Sequence, residues 1–182
     1  KEDIEVSDAV RTKFEAEGIT VLTGHMVEGF KNDDGAKVVH CDCKPKKLNI
    51  ECDEIIMALG RKANVTGFGL EELGVEIRKN GTIEVDDFLR TNYPNIYAVG
   101  DVTGPYQFTH FAAHQAWYAA VNSLFSPFKK FKTDYRVIPW TTFTDPEVAR
   151  VEINEQEAID EGIDFEVTRY GLDDLDRAIA DG

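Results

Sequence analysis

The dipeptide Gly100-Asp101 directly follows the apolar run Ile96-Tyr97-Ala98-Val99. Glycine at such a place permits positive φ or a close approach of backbone to a ligand. Aspartate supplies an acceptor-only carboxylate that can hold a polyol hydroxyl by a charge-assisted hydrogen bond, worth about 1.5–3 kcal/mol. Further along, Thr109 has the chemistry of an N-cap for a helix over residues 110–124. The N–H groups of that helix's first turn, with its dipole, suit a carbonyl oxygen or ring nitrogen that gains negative charge. Alanines at 112, 113, 116, 119 and 120 keep the helix surface small, so that another backbone or a flat ring can come close. Gly60-Arg61 ends a second apolar run, Ile55-Ile56-Met57-Ala58, and taken alone reads as a strand end with a solvated charge.

Two further groups have the residue types of metal sites. His110 and His114 lie one helical turn apart, but the local sequence offers no third ligand. Cys41 and Cys43 would share a strand face, with Cys52 nearby, yet no second Cys-x-Cys or His pair completes a tetrahedral set, and an odd number of cysteines argues against a disulfide framework. Three reduced structural thiols and no metal site are expected. Phe108, Phe111, Trp117 and Tyr118 read as packing residues, and the acidic run from Asp173 to Asp176 as a solvated face.

The elements that position these residues follow from periodicity and turn chemistry. Val6, Ala9, Val10 and Phe14 recur at helical spacing over residues 4–17, with Gly18 as the stop. Residues 19–22 and 55–58 read as short strands, the latter buried. Between them, residues 25–52 form β-like runs separated by Asn32-Asp33-Asp34-Gly35 and Lys44-Pro45-Lys46-Lys47, the pattern of a small antiparallel meander. Residues 68–73 make a helical turn, Asn80-Gly81 predicts a two-residue hairpin, and residues 96–99 predict a buried strand that delivers Asp101 at its carboxyl end, where open α/β sheets hold ligands. Residues 126–133 look like a linker; strands at 138–143 and 148–153 follow, then a helix opened by a capping box of Asn154 and Glu157 and closed by Gly162, then a strand at 165–170.

The net charge of −14 over 182 residues excludes nucleic acid and anionic membrane as partners, since no basic stripe offsets it. There is no apolar run of bilayer length and no signal-peptide pattern, so cytoplasmic residence is expected. The chain opens on lysine and enters a helical pattern almost at once, which leads us to expect a piece of a longer protein.

The stretch Thr91-Asn92-Tyr93-Pro94-Asn95-Ile96-Tyr97-Ala98-Val99-Gly100-Asp101 resembles the second FAD-binding segment of the class I pyridine nucleotide-disulfide oxidoreductases, the family of lipoamide dehydrogenase and mercuric reductase. The resemblance extends through nearly the whole chain. It implies an α/β fold: parts of two FAD/NAD(P)-binding Rossmann-like domains, followed by the start of an α+β interface domain. Residues 1–62 would be the C-terminal part of the NAD(P)-binding domain, 63–130 the second segment of the FAD-binding domain, and 131–182 the beginning of the interface (dimerisation) domain.

The resemblance also implies roles. Asp101, after Gly100, would bind the flavin ribityl chain. Backbone groups of Thr109, His110 and Phe111, with Phe108 beside them, would face the pyrimidine edge of the ring, and Gly60-Arg61 would lie beside the dinucleotide. Leu59 replaces the usual threonine, Ala63 the usual proline and Glu152 a usual glycine. Implied cofactors are FAD and NAD(P)H; implied partners are a second subunit and a disulfide, metal-ion or related electron acceptor. No Gly-x-Gly-x-x-Gly, Cys-x4-Cys or His-Pro occurs in the sequence. No catalytic residue is therefore assigned, and the chain alone is expected to be inactive; a non-catalytic remnant that binds a nucleotide or a protein is the alternative.

Overall fold

A computed structural model describes residues 2–33 and 35–181. Its contacts divide into two units, one formed by residues up to Thr20 together with those from Pro139 onward, the other by Val21–Ile138.

In the second unit, β1 (Met26–Asp33), β2 (Ala36–Asp42) and β3 (Lys47–Cys52) form an antiparallel sheet in that order, the expected meander. Alternation fixes its register, because β3 turns Leu48, Ile50 and Cys52 to the covered face and leaves Lys47, Asn49 and Glu51 exposed. Leu48 lies opposite Cys41 and Ile50 opposite Val39, and a bulge between Val27 and Gly29 lets β1 bring Val27 and Phe30 to the same two rows. The β2–β3 turn closes with Cys43 N–H on Lys46 O at 3.0 Å. The tip of the first turn, at Asp34, lies outside the described residues.

Three of the short strands expected from the sequence do not form as strands in this unit or at its boundary. Residues 55–58 are irregular, with Ile56 92% and Met57 71% exposed. Residues 19–22 are irregular as well, with Ile19 and Leu22 exposed. Residues 96–99 carry a single bridge, Tyr97 to Arg90, with the Ala98 N–H donating to Leu89 O at 3.1 Å. A strand needs a neighbour to take up its backbone groups, and among the described residues only the last of these runs has one.

Here the unit's core gathers. Val75, Ile83 and Ala98 are buried together, with Val65, Leu70, Val85, Tyr93 and Val102 packed around them. Short α2 (Leu70–Leu73) leads to Val75, and the bridge Ile77–Ile83 joins the two arms of the expected hairpin. Its loop has three residues rather than two: Arg78 and Thr82 pair, the Gly81 N–H donates to Arg78 O at 2.8 Å, and Gly81 takes φ +84. That is a tight turn followed by a left-handed glycine, a geometry in which Asn80 is ordinary and only Gly81 needs its freedom.

Helix α3 (Thr109–Phe125) places Phe111, Gln115, Ala119 and Asn122 on one buried stripe. Its N-cap is Phe108, not Thr109: Phe108 is extended at φ −123 and ψ 141, and no side chain caps the helix. At the other end, the buried Asn122 amide receives the Phe131 N–H at 2.8 Å and donates to Phe131 O at 2.8 Å and Phe88 O at 3.3 Å. The Thr133 N–H donates to Asp87 O at 2.9 Å. The lysine-rich segment after α3 is thus tied down through its backbone while Lys129, Lys130 and Lys132 remain exposed.

In the first unit, α1 (Ile4–Ala16) has the expected extent, with Gly18 at φ +85 after it. β4 (Pro139–Thr142) and β5 (Val148–Val151) pair antiparallel. The Arg150 guanidinium lies 4.4 Å from the Trp140 ring centroid, between the two strands' side chains. Helix α4 (Glu155–Glu161) has the full capping box of Asn154 and Glu157, and Asp3 accepts from the N–H groups of Glu155 and Gln156. Glu152 takes φ +66, a left-handed conformation that strains a side chain and that glycine adopts freely. Residues 165–170 are exposed and irregular rather than a strand; α5 (Asp176–Asp181) follows.

Candidate functional site

After the extended Val99, the chain turns through one 3-10 turn, Gly100–Val102. Gly100 has φ +78, and a Cβ there would lie 3.1 Å from the Ala112 side chain, so both its conformation and the nearness of α3 require glycine. The small residues of α3 act as anticipated at this point, with backbone meeting backbone. The turn is clamped from behind. The Gly100 N–H donates to Gln115 Oε1 at 2.6 Å, Thr103 Oγ1 donates to Gly100 O at 2.9 Å, and Gln115 Nε2 donates to Thr103 Oγ1 at 3.3 Å and to the Tyr135 hydroxyl at 3.0 Å. Gln115 and Thr103 are each 1% exposed.

Asp101 leaves this clamp toward solvent, where Arg61 Nη1 donates to its Oδ2 at 3.0 Å. Among the described residues nothing donates to Oδ1. An ion pair this exposed contributes only about 0–1 kcal/mol, so its role is to orient the carboxylate rather than to hold the fold. The structure thus brings together Arg61 and Asp101, two residues that the sequence placed on separate segments. Gly60, beside Arg61, has φ +114 and open space where a Cβ would lie.

The start of α3 abuts the same turn. Phe108 stacks on His110 at 5.4 Å between centroids and on Tyr106 at 6.5 Å. Thr109 and His110 are exposed, whereas the Phe111 side chain is buried against Tyr106 and Tyr135 at 5.1 and 5.3 Å. Phe111 can therefore offer a ligand its backbone but not its ring. His114 turns away from His110: its Nε2 lies 2.9 Å from Asp134 O, and its ring packs edge-on against Tyr118. The Asp134 carboxyl is held at about 2 by hydrogen bonds from the Arg136 side chain and backbone, with His114 adding to the same effect.

The cysteines form no common site. Cys41 is buried in the sheet, Cys43 donates to Lys46 O at 3.0 Å, and Cys52 donates to Lys37 O at 3.5 Å. Among the described residues no group of three or more His, Cys, Asp or Glu side chains could hold a metal. None of the described helices is long and apolar enough to cross a membrane.

Sequence reasoning did not find Gln115, Thr103, Asn122 or Tyr135. A signal was present for two of them: Gln115 and Asn122 are amides on the helical stripe that also carries Phe111 and Ala119, and a polar group on a buried stripe must have partners.

Residues 1–116 match the family described as pyridine nucleotide-disulphide oxidoreductase, and residues 138–182 match the dimerisation domain of that family. The chain is 35% identical over 177 residues to a mercuric reductase of Bacillus cereus, across 97% of this chain and 28% of that protein. It is 36% identical over 170 residues to a dihydrolipoyl dehydrogenase of Mycobacterium leprae, across 93% of this chain and 36% of the relative. Among solved structures it resembles a Cu(II) complex of an HOCl-induced flavoprotein disulfide reductase from Escherichia coli, with a TM-score of 0.84, 26% identity, and coverage of 98% of this chain and 40% of the other. The chain therefore spans about a third of the length of the curated relatives it matches.

Proposed function

Because the chain belongs to the pyridine nucleotide-disulphide oxidoreductase family, we propose that the protein carrying it is an FAD-dependent oxidoreductase. It passes electrons from NAD(P)H through flavin and a redox disulfide to a disulfide, a metal ion or a related acceptor. Members of the family use FAD and NAD(P)H, and the flavin supplies the electron-transfer chemistry when bound.

The observation that carries the reading is the Arg61–Asp101 pair at 3.0 Å. One residue comes from the segment that resembles the end of an NAD(P)-binding domain, the other from the segment that resembles an FAD site. The residues present fit a flavin. Gly100 keeps the turn pressed against α3 where a Cβ would push it away, and Asp101 has Oδ1 available for a ribityl hydroxyl while Arg61 takes Oδ2. The N–H groups of Thr109, His110 and Phe111 at the start of α3, with Phe108 beside them, would hold the pyrimidine edge of a flavin, and Gly60-Arg61 would serve the nicotinamide dinucleotide.

In this reading residues 1–62 end the NAD(P)-binding domain, 63–130 are the second FAD segment, and 131–182 begin the interface domain of a cytoplasmic homodimer. The residues of this chain bind and orient. Because it contains no Gly-x-Gly-x-x-Gly, Cys-x4-Cys or His-Pro, the isolated chain holds flavin weakly and turns over no substrate.

The test is to purify the full-length protein, record its visible spectrum, and assay oxidation of NADH and NADPH with lipoamide, glutathione disulfide or mercuric ion as acceptor. One flavin per subunit and nucleotide oxidation with at least one acceptor are expected. A colourless protein that oxidises neither nucleotide contradicts the assignment.

A further inference from the structure

We propose that Gln115 is a positioning residue of the flavin site, acting through the Gly100 N–H to set the direction in which Asp101 leaves its turn. The inference rests on the flavin reading above and names a residue that acts on Asp101 without touching the cofactor.

Glycine is the most permissive residue in the chain, so Gly100 at φ +78 does not hold its own conformation; something outside the backbone must hold it. The only side chain on its N–H among the described residues is Gln115, at 2.6 Å. The amide is oriented without ambiguity. A backbone N–H can only donate, so the atom facing it must be Oε1, which leaves Nε2 to donate to Thr103 Oγ1 at 3.3 Å and the Tyr135 hydroxyl at 3.0 Å. Thr103 Oγ1 can accept there because its own proton goes to Gly100 O at 2.9 Å. Both backbone polar groups of Gly100 are thus fixed by one closed circuit, and that circuit is 1% exposed at both Gln115 and Thr103.

Its placement argues for more than packing. A leucine would fill the same stripe of α3 beside Phe111 and Ala119 with no polar group to desolvate, yet it would leave the Gly100 N–H without a partner in a buried setting. The amide is aimed at the residue immediately before Asp101. A change in backbone direction there would swing the carboxylate away from Arg61, and in the flavin reading away from a ribityl hydroxyl.

The experiment is a double-mutant cycle in the full-length protein: FAD affinity measured by titrating the apoprotein, for wild type, Gln115→Leu, Asp101→Ala and the double variant. If Gln115 acts through Asp101, Gln115→Leu weakens FAD about tenfold or more when Asp101 is present and by less than about twofold when it is already alanine. A residue that only supports the fold would cost the same in both backgrounds, and that additive result overturns the proposal, as does unchanged affinity in Gln115→Leu. Should Gln115→Leu fail to fold, Gln115→Asn, too short to reach the Gly100 N–H, takes its place with the same expected pattern. A wild-type protein that binds no FAD overturns the flavin reading itself, a different outcome from an additive cycle in a protein that does bind it.

Discussion

The apolar runs 55–58 and 96–99 look alike in the sequence, each four residues long and closed by glycine within two positions, yet they end in opposite environments. Ala98 is buried beside Val75 and Ile83, and its N–H reaches Leu89 O, whereas Ile56 and Met57 are almost fully in solvent. The difference does not lie in hydrophobicity. Around 96–99 the same unit supplies a hairpin at 76–84, the buried Leu89 and the stripe of α3; around 55–58 no described element supplies a pairing edge or an apolar face. A buried strand is a property of a run and its neighbours together, and the same holds for the two chemical signals that follow these runs. Asp101 is fixed by a circuit of buried hydrogen bonds, while Arg61 reaches it from an open segment.

Truncating side chains on the two sides should give the largest contrast. Ile83→Ala, at a site 6% exposed, should destabilise the chain by about 2–5 kcal/mol in a denaturant titration, and Ile56→Ala by less than about 0.5 kcal/mol. Equal losses would mean that 55–58 is packed in solution and that the contrast is wrong. The glycines sharpen the comparison at a smaller scale. Gly100→Ala meets both a left-handed φ and the Ala112 side chain at 3.1 Å, whereas Gly60→Ala meets only a left-handed φ. Gly100→Ala should therefore cost about 1–3 kcal/mol more than Gly60→Ala in the same titration; if the two cost the same, α3 does not press on the turn.

Much of this was legible in the residues themselves, because it depends on local chemistry. The meander over β1 to β3, the extent of α1, the capping box of Asn154 and Glu157 and the course of α3 each follow from side-chain period or from a turn residue acting on its own backbone. What was not legible depends on distant partners. Whether 19–22, 55–58 and 165–170 pair is decided elsewhere in the chain or outside it, and period alone cannot report it. The N-cap is Phe108 because its carbonyl already accepts the Ala112 N–H at 3.0 Å while its own backbone is extended, and no hydroxyl caps the start of α3. At the candidate site, Gly100 and Asp101 stood out by their position after an apolar run, but Gln115 was hidden by its place on a stripe that reads as core.

The smallest expected effect concerns acid. Hydrogen bonds from Arg136 hold the folded Asp134 carboxyl at about 2, below its ordinary 3.8, so the stability it contributes is fully present above about pH 4 and is lost as pH falls toward 2. Asp134→Asn should remove that part of the acid slope, lowering the denaturation midpoint above about pH 4 by the little that an exposed pair supplies and leaving it nearly unchanged near pH 2. An acid slope identical in wild type and variant would show that the segment after α3 is as loosely held as residues 55–58.

In the proposed function Asp101 is aimed at a flavin while other exposed carboxylates of the same region are not. Asp87 is the fit control, since it too follows the hairpin but pairs with Lys132 in solvent. The direct measurement is FAD affinity of the full-length protein carrying Asp101→Ala or Asp87→Ala. We expect about a ten- to hundredfold loss for the first and less than about a twofold change for the second; equal affinity in the two variants would remove Asp101 from the site.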